Sequence, residues 1–197
     1  MVIASKITGG RHVTPKTIRQ DCAASLERLG TDYLDVYMLH WPARYSPQAN
    51  WGQSLNYDYE IAQDPYYTNP TSFQEIASAM AGLVEEGKIR GWGLCNDNAF
   101  GLEACCAAAR QISGPPPCVV QNDFSMINRR IEENGLAEAA SPYNEGVGFM
   151  AYNVLAGGVL TGKYKDYPAS VDDADRARAR KSLETPRGRC LGHGPRT

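Results

Sequence analysis

The feature that most constrains this chain is a repeated alternation. Five short apolar runs, at 2–5, 34–39, 91–95, 118–121 and 147–152, are separated by segments of helix length. Strands interleaved with helices of ten to sixteen residues imply parallel βαβ units, because a parallel neighbour can be reached only by a crossover. Two architectures accommodate such units: an open doubly wound sheet, or a (β/α)8 barrel. No G-x-G-x-x-G follows the first strand, so the open dinucleotide-binding sheet lacks its main signature.

The helices carry their own boundary marks. Thr14-Pro15 supplies an N-cap and a first-turn proline for a helix ending at Leu29 before Gly30. Ile18, Cys22, Leu26 and Leu29 recur every three or four residues, which predicts one buried stripe. Ser72 with Glu75 reads as a capping box for a helix to about Glu86. Further helices are expected over 99–110 and, unbroken, over 131–140. Between the run at 34–39 and Ser72 lies a polar, aromatic loop at 41–70, and loops of that length in compact domains are usually functional. The segment from 168 to 197 is charged and Arg-rich and reads as a solvated tail beside a domain at 1–167.

Each predicted strand ends in a polar or titratable group: Lys6, His40, Cys95-Asn96, Gln121-Asn122 and Tyr152-Asn153. In a parallel sheet these ends share one edge, so groups far apart in sequence can converge on one ligand. Singly, each also has a plain structural reading, as a solvated lysine, a satisfied histidine or a backbone-capping glutamine. Composition narrows the partners. A formal charge of −2 over 197 residues provides no field for nucleic acid or an anionic membrane. No apolar run approaches a membrane span or a signal peptide, so a cytoplasmic protein is expected. The six cysteines form no C-x-x-C and share no metal-ligand spacing with the three histidines, so reduced thiols and no metal are expected.

In order and spacing, IASK at 3–6, SLERLGTDYLDVYMLHWP at 25–42, EEGKIRGWGLCNDNAFG at 85–101, VVQNDFSMINR at 119–129 and GVGFMAYNVLAGGVLTGKY at 146–164 resemble the aldo-keto reductases, within them the Tas-like branch. The resemblance implies a (β/α)8 barrel, here with about five of its eight units, and NADPH-dependent reduction of small carbonyl compounds. It places Lys6 and His40 at catalytic positions. Cys95, Asn96 and Gln121 fall at nicotinamide contacts, Tyr152 at the stacking position, and Asn153, Val154, Leu155, Ala156 and Gly157 with Lys163 at the pyrophosphate loop. Cys95 stands where the family commonly has serine, and Asn153-Val154 where it has Ser-Pro. Trp41 and Trp51, with Tyr45, Tyr57 and Tyr59, are expected to wall a substrate pocket.

The family's segment with the catalytic Asp and Tyr has no counterpart in these 197 residues, nor does its last unit, which binds the 2′-phosphate and adenine. Impaired turnover and self-association through open sheet edges are therefore expected. A nucleotide- or partner-binding module without catalysis, or a partial gene product, are the alternative readings.

Overall fold

The computed structural model describes residues 1–47 and 56–162. These fall into two compact units, Met1–Asn122 with Ile131–Met150, and Asp123–Arg130 with the segment from Ala151 onward. Trp51, Lys163, Cys190 and the charged tail lie outside the described residues.

Five strands form one sheet in the order β1-β2-β3-β4-β5: Ala4–Ile7, Leu34–Leu39, Ile89–Cys95, Val119–Asp123 and Gly148–Tyr152. β1, β2, β3 and β4 pair in parallel, with Lys6 opposite Met38, Val36 opposite Gly91 and Cys95 opposite Gln121. A doubly wound sheet reverses its strand order at a switch point. Here the order runs straight through, as it does around a (β/α)8 barrel.

The helices are α1 (Pro15–Leu29), α2 (Tyr59–Ala62), α3 (Phe73–Glu85), α4 (Ala99–Gln111), α5 (Arg130–Glu133) and α6 (Leu136–Ala140). Thr14 and Thr17 cap α1 reciprocally, Ser72 and Glu75 cap α3, and the Asn98 side chain accepts from Gly101 N at the start of α4. In the first unit α1, α3 and α4 pack in sequence against one another and the sheet. They bury Ile18, Met80, Leu83 and Leu102 on the face of the sheet that carries Tyr37, Trp92 and Leu94. Full burial of such a side chain contributes roughly 1.5–3 kcal/mol, so this layer sets where the strand ends lie. Trp92 is wholly buried, and its indole N–H donates to the Pro115 carbonyl at 2.8 Å.

Three expectations are corrected. The first strand is Ala4–Ile7 rather than 2–5, because pairing with β2 begins at Ala4 and Val2 stays exposed. The expected helix over 131–140 is two short ones, interrupted at Gly135, whose φ of 78° is left-handed and cannot continue a right-handed turn. Leu29 is 52% exposed and does not belong to the buried stripe, which ends at Leu26. No described helix is long and apolar enough to cross a membrane.

Candidate active site at the carboxyl ends of the strands

Parallel pairing brings the ends of β1, β2, β3 and β4 to one edge of the sheet. There Lys6 Nζ donates to Gln121 Oε1 at 2.5 Å, joining β1 to β4 across two intervening strands. The Cys95 thiol faces the same Gln121 oxygen at 3.6 Å. Asn96, one residue past β3, has a left-handed backbone with φ 56°, a conformation asparagine tolerates better than most residues. That turn lets its N–H donate to the Gln121 carbonyl and its Nδ2 to the His40 carbonyl, both at 2.9 Å. The His40 N–H in turn donates to the Ile7 carbonyl at 2.9 Å. Lys6, His40, Cys95, Asn96 and Gln121 thus form one hydrogen-bonded cluster.

The electrostatics are those of a partly desolvated cationic site. Burial, and then the positive charge of Lys6, lower the His40 pKa below its ordinary value and favour the neutral imidazole. Burial raises the Cys95 thiol, with Lys6 opposing it, so the side chain stays protonated. The ring of Trp41 stacks beside that of His40, with centroids 5.8 Å apart and planes inclined by 28°. Gly9 sits so close to Trp41 that a Cβ there would collide with it, and Gly10 N donates to the Pro42 carbonyl at 3.0 Å. The segments following β1 and β2 are therefore locked together.

A second lock lies just outside the cluster. Arg44 Nη2 donates to Asp97 Oδ1 at 2.8 Å and to Asn98 Oδ1 at 2.9 Å, while its guanidinium lies over the rings of Phe73 and Phe100. The Asp97 side chain is 3% exposed and that of Arg44 16%. The Asp97 carbonyl accepts from Asn122 Nδ2 at 2.7 Å. The residues flanking Asn96 and Gln121 are thereby tied to the loop after His40. Sequence reading missed Arg44 and Asp97. Their one local signal is the Asp97-Asn98 pair at a helix start, which says nothing of a partner 53 residues away.

In the second unit Tyr152 is half-buried and Val154 and Leu155 are about half exposed. Asn153 has φ 57°, and its side chain accepts from Gly157 N at 2.9 Å while its Nδ2 lies 3.3 Å from both Asp123 carboxylate oxygens. Ala156, Gly157 and Gly158 also have positive φ, and their N–H groups donate within the turn, to the Asn153 carbonyl, the Asn153 side chain and the Leu155 carbonyl. Asp123 is another residue that sequence reading missed. Burial raises its carboxyl above the ordinary value, with Asn153, Asn128 and Arg130 pulling it back. Tyr45 and Tyr57 line a different cavity from the Lys6–His40 cluster. Trp51 and Lys163, expected at the pocket and the pyrophosphate loop, lie outside the described residues.

Comparison with known proteins gives one consistent result. The model of the Aldo/keto reductase family matches residues 1–190. Protein tas of Escherichia coli is 38% identical, aligned over 83% of this chain and 47% of its own length. An aldo-keto reductase of Babesia bovis is 36% identical over 73% of this chain and 50% of its own length. The NADH-specific methylglyoxal reductase of Escherichia coli is 28% identical over 80% of this chain and 39% of its own. The chain spans about half the length of the curated relatives it matches. Among solved structures, one named as a 2,5-diketo-D-gluconic acid reductase B superposes with a TM-score of 0.57 over 81% of this chain and 44% of that one. At 19% identity that likeness speaks for the fold alone.

Proposed function

The chain belongs to the aldo/keto reductase family, and on that footing we propose that it serves the NADPH-dependent reduction of small aldehydes and ketones to alcohols. The observation that carries this reading is the cluster in which Lys6 holds Gln121 while its charge favours a neutral His40. The donor set fits a nicotinamide carboxamide. With its oxygen engaged by Lys6, Gln121 presents its amide nitrogen as a donor, and the Asn96 amide lies on the same edge. A reduced nicotinamide bound there supplies the hydride.

The residues of the chain do the rest. Neutral His40 donates an N–H hydrogen bond to the carbonyl oxygen and orients it. As the carbonyl carbon gains a hydride, negative charge grows on that oxygen, and the Lys6 ammonium and His40 N–H stabilise it until it takes up a proton from water. Trp41, stacked beside His40, restricts the ring's rotation. Cys95 keeps the shape of the commoner serine but donates a weaker hydrogen bond to Gln121, so the amide depends more on Lys6.

The test is consumption of NADPH, and separately of NADH, with a panel of small aldehydes and ketones. Turnover abolished in both Lys6→Met and His40→Gln supports the reading. Turnover indifferent to both substitutions, or no turnover with either cofactor, overturns it.

A further inference from the structure

A cavity of about 360 Å³ lies beside the Arg44–Asp97 lock, lined by Arg44, Tyr45, Tyr57, Tyr67, Asn98 and Phe100 with Ala62 and Pro70. None of Lys6, His40, Cys95, Asn96 or Gln121 lines it. We propose that this cavity is a second small-molecule site, taking an uncharged planar aromatic molecule of one or two fused rings.

Three properties of the walls carry the assignment. First, the rings are arranged edge to face around Tyr45, with Tyr57 at 5.1 Å and 70° and Tyr67 at 5.4 Å and 64°. Inclined walls of this kind offer a flat guest both a face and an edge, the two favourable aromatic geometries. Second, the one cationic wall is already neutralised. Arg44 spends Nη2 on Asp97 and Asn98 and covers the faces of Phe73 and Phe100. A second cation would meet that guanidinium, and an anion would find it already paired, so a neutral guest is favoured. Third, the walls carry hydroxyl groups as well as rings. The Tyr45 hydroxyl accepts from Asp58 N at 3.2 Å. Burial raises the Tyr67 phenol above its ordinary pKa, with Tyr66, Tyr45 and Asp64 adding to the effect. Tyr67 therefore stays a donor for one oxygen on the guest. The volume stands at the low end of the roughly 300–1,000 Å³ usual for ligand sites, which limits the guest to one or two rings.

The site goes beyond the reductase reading, since binding there needs neither cofactor nor turnover. The test is calorimetric titration of the full chain with 2-naphthol, which carries an oxygen but no carbonyl. Saturable one-to-one binding is expected. It should weaken about tenfold or more in Tyr67→Ala and in Ala62→Trp, which fills the cavity from its helical wall, and stay unchanged in Lys6→Met and His40→Gln. The proposal is overturned by no saturable binding, by binding indifferent to Ala62→Trp, by loss of binding in the His40 variant, or by uptake of tetramethylammonium in preference to 2-naphthol. Because the first two variants are silent on turnover chemistry, failure here leaves the reductase test standing, and the reverse holds too.

Discussion

Lys6 and Gln121, 115 residues apart in sequence, meet at 2.5 Å between Nζ and Oε1 at the carboxyl edge of the sheet. The contact gives β1 and β4 a shared polar end and leaves the ammonium near His40. Two consequences for His40 follow from its charge and can be separated experimentally.

His40 should titrate below the ordinary histidine value, chiefly through burial and secondarily through Lys6. In Lys6→Met the burial remains and the repulsion goes, so the titration midpoint should rise part of the way back. An NMR pH titration, with His40→Gln to assign the resonance, reads it; an unchanged midpoint would contradict the electrostatic role of Lys6. The sign for stability is definite. A histidine whose native pKa is depressed contributes stability that is present above its unfolded pKa and lost as pH falls through the native one.

Arg44→Ala should destabilise the fold by about 3 kcal/mol, because it strands the buried Asp97 carboxylate, with the surface access of Arg44 keeping the cost at the low end for such pairs. Gly101→Ala should act on the same lock. A Cβ there would collide with the Asp97 carboxylate and come within 2.6 Å of Arg44 Nη2. Overpacking of this kind costs roughly 1–3 kcal/mol. Thermal or denaturant unfolding of both single variants and the double variant tests the prediction. Fully additive losses would mean the two residues do not share one arrangement.

Asp123→Asn should flatten part of the pH dependence of stability. Burial raises the native pKa of Asp123, so its contribution is present below the ordinary carboxylate value of 3.8 and lost as pH rises through the native value. The wild type should therefore lose stability relative to the variant as pH rises through that window. Parallel melting curves against pH would contradict it. The same substitution keeps a partner for Asn153 and should leave the turn to Gly157 intact.

The local features of this fold were legible and the pairings were not. β2 at Leu34–Leu39 and the caps at Thr14 and Ser72 coincide with expectation, since each depends on residues within a few positions. The start of β1 depends on where β2 offers hydrogen bonds, and Asp35 Oδ2 accepts from Ile3 N at 2.8 Å just before pairing begins. Nothing in the run VIAS foretells that. The expectation of one helix over 131–140 took no account of Gly135, whose left-handed backbone separates two short helices. Lys6, His40, Asn96 and Gln121 were readable as strand-end groups and by resemblance, because parallel strands must share an edge. Arg44–Asp97 and Asp123–Asn153 were not, because each joins residues 30 or more positions apart with no periodic sign between them.

The most direct test of the central claim is titration of the full chain with NADPH, followed by the fluorescence of its three tryptophans. Saturable quenching, weakened about tenfold by Gln121→Ala as expected for loss of a hydrogen-bonding amide, is the predicted result. Quenching that never saturates, or an affinity unchanged in Gln121→Ala, would mean that the Lys6–Gln121 cluster does not hold the cofactor.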